Sequence, residues 1–65
     1  MNIEQLNASY QSQLSKLFEM LCENMIMAGN NQSEYDNAIK RYNRGLGIAF
    51  KAFQIAKAST VQYDS

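Results

Sequence analysis

The 65-residue sequence contains no proline, no histidine, only one cysteine and only three glycines. Without proline, no position forbids an α-helix, so long uninterrupted helices are possible. Because Cys22 is the only cysteine, an intrachain disulfide cannot form, and the lack of histidine argues against a structural zinc site. A domain of this size buries only about 60% of its unfolded surface. Association with another chain is therefore the expected source of additional stability.

The charges balance overall but are unevenly distributed along the chain. Six basic residues match six acidic ones, yet residues 1–33 carry three glutamates and one lysine, and residues 34–65 carry five basic and three acidic residues. This asymmetry permits a nucleic-acid or acidic partner, and it is also expected of two antiparallel helices that attract each other. No signal-like segment or membrane-spanning apolar run is present, which predicts a cytoplasmic protein.

One short break, Gly29-Asn30-Asn31-Gln32-Ser33, divides the chain into two helical arms of similar length. The pattern predicts arm 1 at about 2–28, a turn at 29–33, arm 2 at about 34–60 and a frayed tail at 60–65. Gly29 is predicted to follow the last helical residue of arm 1, and Ser33 to cap arm 2. We expect an all-α fold, an antiparallel two-helix hairpin forming one domain over 1–65 and completed by self-association or by a partner.

Apolar residues recur at helical spacing in both arms. The stripe of arm 1 consists of Ile3, Tyr10, Leu14, Leu17, Phe18, Leu21, Met25 and Ala28. Steps of four and three residues along it are typical of a coiled-coil seam. The stripe of arm 2 consists of Tyr35, Ala38, Ile39, Tyr42, Leu46, Ala49, Phe50, Phe53 and Ala56. These two stripes are predicted to pack against each other.

Six further apolar residues lie off the predicted seam and are the candidate partner-binding residues. They are Leu6, Met20, Met27, Ile48, Ala52 and Ile55. Methionine serves both as a filler of irregular gaps and as an adaptable binding residue, and the second role suits Met20 and Met27 at the margin of the stripe. Gly45 borders the stripe of arm 2 and has two interpretations, a close approach by another helix or a tolerated surface glycine.

No catalytic, metal-binding or cofactor-binding residues are predicted. Glu19 and Glu23 lie one helical turn apart on the polar side of arm 1, where a solvated pair is the ordinary interpretation. Cys22 has no histidine to serve as its base. Gly45-Leu46-Gly47 lies inside a helical pattern and lacks both the third glycine and the preceding strand of a phosphate-binding loop. We therefore expect a protein that is not an enzyme.

Four basic residues define an alternative nucleic-acid face on the outward side of arm 2: Lys40, Arg41, Arg44 and Lys51. Tyr35 and Tyr42, the candidate stacking groups, point instead into the apolar stripe. Four or five phosphate contacts would give weak, salt-sensitive binding. The corresponding function is a Rop-like homodimeric helical bundle that binds RNA. A small phage or plasmid regulator that docks on a host protein is a third possibility.

The segment Met27-Ala28-Gly29-Asn30-Asn31-Gln32-Ser33-Glu34-Tyr35 resembles the YscE-type co-chaperones of type III secretion needle subunits. Members of that family often have a long first helix, a glycine at the turn and a tyrosine six positions later, the spacing of Gly29 and Tyr35 here. Further along the chain, Gly45-Leu46-Gly47-Ile48 has a mixture of glycine, leucine and isoleucine similar to that of the family. The resemblance implies a cytoplasmic chaperone subunit for protein transport, which binds a TPR-like chaperone and helps to keep a needle subunit unpolymerised.

Overall fold

The chain folds into two α-helices that pack against each other as an antiparallel hairpin. The computed structural model describes the backbone of residues 1–64 and the side chains of residues 1–59. Helix α1 runs over Ile3–Ala28 and helix α2 over Gln32–Asp64, and the described residues include no strand. The predicted all-helical hairpin is therefore confirmed. Its Cα atoms span 52 × 15 × 8 Å, the dimensions of a single layer of two helices.

Helix α1 begins with a capping box. The backbone N–H of Gln5 donates to Oδ1 of Asn2 at 2.8 Å, and the backbone N–H of Asn2 donates to Oε1 of Gln5 at 3.0 Å. Two N–H groups that have no partner within the helix are thereby satisfied. The spacing of an asparagine three residues before a glutamine carries this signal in the sequence.

The connection between the helices is a tight β-turn. Gly29 has φ 58° and ψ −118°, and the backbone N–H of Asn31 donates to the carbonyl oxygen of Ala28 at 3.0 Å. These are the features of a type II′ turn, whose first central position favours glycine because φ is positive there. The positive φ expected at Gly29 is present, although its ψ differs from that of the left-handed helical conformation.

Helix α2 begins earlier than the sequence pattern predicts. Asn31, and not Ser33, caps the helix, because its Oδ1 accepts the backbone N–H of Glu34 at 3.1 Å and its carbonyl oxygen accepts that of Tyr35. Asparagine and serine cap helices about equally well, so the turn geometry decides between them. The break accordingly covers 29–31 instead of 29–33. The helical backbone continues to Asp64, whereas Ser65 and the side chains of 60–65 lie outside the described part of the predicted tail.

The most buried side chains of the hairpin are mostly small. Among the described residues only Leu6, Ala28 and Ala38 are buried, with 8%, 7% and 2% of their surface exposed. Alanines at the contact let two helices approach closely. Around them the rings of Tyr10 and Phe53 stack with centroids 4.4 Å apart and planes 16° from parallel.

Two sets of predictions about the seam are wrong. Phe18, Ile39 and Phe50 were assigned to the stripes that pack together, but they are 56%, 43% and 54% exposed. Each stripe is wider than the strip that one neighbouring helix can cover, so residues on one edge stay open to solvent. Conversely, Leu6 was placed off the seam, but it is 8% exposed and belongs to the hairpin's interior.

Candidate protein-binding groove

An open apolar groove of about 430 Å³ runs along one side of the hairpin. It is lined by Leu6, Tyr10, Gln13 and Leu17 of α1 and by Gly45, Ile48, Ala49, Ala52, Phe53 and Ala56 of α2. Apart from the hydroxyl of Tyr10, Gln13 carries the only polar side-chain group in this lining. A concave, mostly apolar surface of this kind is the usual form of a binding site for an apolar ligand or segment.

The groove exists because α2 presents small residues at helical spacing on this side. Gly45, Ala49, Ala52 and Ala56 follow one another at steps of four and three residues. A Cβ atom added to Gly45 would lie 2.6 Å from Cδ2 of Leu17, so the two helices approach closely at this point. The close-approach interpretation of Gly45 is therefore correct, whereas Gly47 faces open space.

A second, smaller hollow of about 140 Å³ continues the groove toward the turn. Leu17 lines both. The other residues of the hollow are Met20, Leu21, Asn24, Ala38, Arg41 and Tyr42. From Leu6 to Asn24 the two hollows together extend about 27 Å at 1.5 Å per residue. This length matches a helix of about five turns.

The structure brings most of the predicted partner-binding residues to this side of the hairpin. Leu6, Ile48 and Ala52 line the groove, and Met20 lines the second hollow. Met27 and Ile55 line neither, but they are 82% and 61% exposed. On a helical wheel Met27 lies close to Met20, and Ile55 lies close to Ile48. We call the surface formed by these six residues the groove face.

The alternative nucleic-acid residues are all exposed. Lys40, Arg41, Arg44 and Lys51 make no ion pair with any residue that the structure describes. Of the four, only Arg41 lines one of the two hollows, the second. Tyr35 and Tyr42 are half-buried, so the basic residues are not flanked by exposed aromatic rings. These four residues therefore contribute no ion pair between the two helices within the described part of the chain.

Other chemistry is sparse in the described part of the chain. No group of three or more His, Cys, Asp or Glu residues is placed to hold a metal ion there, and Cys22 is half-buried and forms no disulfide. Neither helix contains, within its described residues, a stretch long and apolar enough to cross a membrane. Comparisons with family models, with curated proteins and with solved structures give no match for this chain.

A second apolar surface, on the opposite side of the hairpin, was not predicted as a binding site. It consists of Leu14, Phe18 and Met25 of α1 and Ile39, Leu46 and Phe50 of α2, and we call it the phenylalanine face. None of these residues lines the groove or the second hollow. The width of the two stripes was the signal in the sequence. It could not reveal which edge would remain open, because a helical wheel fixes angles within one helix and not the rotation of that helix against its neighbour.

Proposed function

We propose that this protein is a non-enzymatic, protein-binding helper whose groove face receives one apolar helix of a partner. The supporting observation is that the groove and the second hollow together run from Leu6 to Asn24, which is about the length of a five-turn helix. Helices bind in such grooves through apolar residues spaced three and four positions apart. On the groove face, more than half of the surface of Met20, Met27 and Ile55 is exposed to solvent, and a bound helix would cover part of it.

The more specific proposal is a co-chaperone in type III secretion. In this role the hairpin binds a TPR-like chaperone in the cytoplasm, and together they keep a needle subunit from polymerising. The resemblance of residues 27–35 to YscE-type proteins supports this assignment, as does a hairpin that has apolar surface left over. The groove face supplies the contact, with Met20 and Ile48 as the most exposed large apolar side chains that line the two hollows.

The test is a binding measurement with a matched control. The TPR-like chaperone and the needle subunit encoded in the same genome are titrated with the hairpin, and needle polymerisation is followed by light scattering. We expect Met20→Ser combined with Ile48→Ser to weaken binding at least tenfold, the loss typical of central interface residues, and to restore polymerisation. Phe18→Ser combined with Phe50→Ser is the control, because the four side chains are 54–58% exposed in the free hairpin.

Two results would reject parts of this proposal separately. If neither protein binds the wild-type hairpin, the secretion assignment fails, although the groove face could still serve another partner. If they bind and the groove-face variant binds as tightly as the wild type, the groove is not the contact. A loss confined to the control variant, with its helix content unchanged by circular dichroism, would place the contact on the phenylalanine face.

RNA binding is a second candidate, supported by the four exposed basic side chains that have no described ion-pair partner. Binding through them would weaken steeply with salt, because each phosphate contact releases a counterion. Fluorescence anisotropy with a structured RNA would measure this. We expect Arg41→Glu combined with Arg44→Glu to abolish the signal and Lys16→Glu, on α1, to change it little. An absence of binding at low salt would exclude this candidate.

A further inference from the structure

The hairpin exposes more surface than a compact protein of its mass. Its accessible surface is 5152 Å², and a folded monomer of 7.4 kDa is expected to expose about 4,200 Å². The excess of about 950 Å² is close to the roughly 800 Å² that one partner contributes to a standard interface. The hairpin is a single layer of helices, and a second layer of similar size would cover this excess surface.

The phenylalanine face has the composition of a permanent interface. Phe18 and Phe50 are 56% and 54% exposed, Ile39 is 43% exposed, and Leu14 and Leu46 lie half-buried between them. By helical position, the charged residues within 14–25 and 39–50 point away from this face. The groove face differs, because Arg41 lines its second hollow. Interfaces between identical subunits are the more apolar kind, with charged residues depleted from their centre.

The charges on the two helices are those that a second copy would complement. Helix α1 carries three glutamates and one lysine, and α2 carries five basic residues and three acidic ones, so the helices have opposite net charges while the whole chain is neutral. Two copies therefore do not repel each other as wholes. Because these charged side chains lie outside the phenylalanine face, they act only at longer range. α1 of one copy over α2 of the other pairs opposite net charges, whereas like helices over each other oppose equal net charges.

We propose that two copies pack through their phenylalanine faces into a four-helix bundle, with α1 of each copy lying antiparallel over α2 of the other. The twofold axis then runs along the hairpin, and both turns lie at the same end of the bundle. Phe18 and Phe50 become central residues of the new core. The groove faces point outward on opposite sides, so the dimer does not depend on the function proposed above.

The mass of the protein in solution tests the dimer. We expect light scattering coupled to gel filtration to give twice the chain mass for the wild type. Phe18→Ser combined with Phe50→Ser should raise the dissociation constant at least tenfold. Met20→Ser combined with Ile48→Ser, with matched exposure on the groove face, should leave it unchanged. A wild-type monomer at concentrations up to about 1 mM, the range of the weakest specific associations, would overturn the proposal, and so would a greater loss in the groove-face variant.

A distance measurement tests the arrangement without changing the interface. A spin label is attached at position 30 of an Asn30→Cys, Cys22→Ser variant. With both turns at one end, and with helix axes 8–10 Å apart, we expect the two labelled backbones to lie about 10–20 Å from each other. The phenylalanine face is centred about 16 Å from the turn at 1.5 Å per residue, so the reverse arrangement would separate the labelled backbones by about 30–35 Å. That longer distance, or a dimer in which none is resolved, would overturn the proposed packing.

Discussion

Gly45 and Gly47 are only two residues apart in α2, yet a methyl group would meet different surroundings at each. At Gly45 it would press on Leu17 of α1, with 2.6 Å between the added Cβ and Cδ2, and at Gly47 it would meet nothing within 4 Å. Inside a helix, glycine costs about 1 kcal/mol relative to alanine. Substitution by alanine therefore gains helix propensity at both positions, but at Gly45 this gain is opposed by the clash with Leu17.

We expect Gly47→Ala to raise the free energy of unfolding by about 0.5–1 kcal/mol, and Gly45→Ala to raise it less or to lower it. Leu17 must move its side chain away from the new methyl group, which offsets the gain in helix propensity. Urea denaturation followed by circular dichroism, at one protein concentration, measures both. Equal gains in the two variants would show that the helices do not approach closely at Gly45.

The capping residue of α2 gives a second prediction at the residue scale. Asn31 accepts the backbone N–H of Glu34 at 3.1 Å, whereas Ser33 already lies inside the helix. We expect Asn31→Ala to lower the free energy of unfolding by about 1 kcal/mol and Ser33→Ala to change it little, because alanine is the best helix former. Thermal unfolding of the two single variants makes the comparison. A larger loss for Ser33→Ala would contradict the observed cap.

At the scale of the helices, the sequence was sufficient for the two arms and their antiparallel packing. Four of the six predicted partner-binding residues line the two hollows, and their role in binding stays a prediction. Helical spacing, the absence of proline and the glycine at the turn all predict the same hairpin. The placement of Phe18, Ile39 and Phe50 was not predictable in this way. Large apolar residues look like core on a wheel, but the contact between α1 and α2 is formed where small residues such as Ala38 let the backbones approach.

Ala38 tests this account of the contact. It is 2% exposed, so Ala38→Leu must push the helices apart, and we expect it to lower the free energy of unfolding by about 1–3 kcal/mol, the usual cost of overpacking. Ala58→Leu is the control, because it makes the same exchange at an exposed position of α2. Denaturation curves of the two variants give the difference. Equal stabilities would mean that α1 does not pack closely on α2 at Ala38.

At the scale of the whole molecule, the hairpin has two apolar faces and few buried residues to stabilise it as a monomer. Only three described residues are buried, two of them alanines, which is little for a domain that needs a core to offset its conformational entropy. The groove face and the phenylalanine face lie on opposite sides, so one layer of helices can be covered on both. The chain can thus associate with itself on one side and still bind a different protein on the other.

Self-association of this kind makes stability depend on protein concentration. If the folded state is a dimer and the unfolded state a monomer, each tenfold rise in concentration stabilises the dimer by about 1.4 kcal/mol. We expect the thermal midpoint to rise by several degrees over a hundredfold range of concentration, because about 1 kcal/mol shifts the midpoint of a domain this small by roughly 4–8 °C. The variant with serine at positions 18 and 50 should have a lower midpoint that changes far less with concentration, while the groove-face variant should follow the wild type. A wild-type midpoint that stays constant over the whole range would show that the hairpin folds as a monomer, and the excess apolar surface would then have to be explained by a different partner.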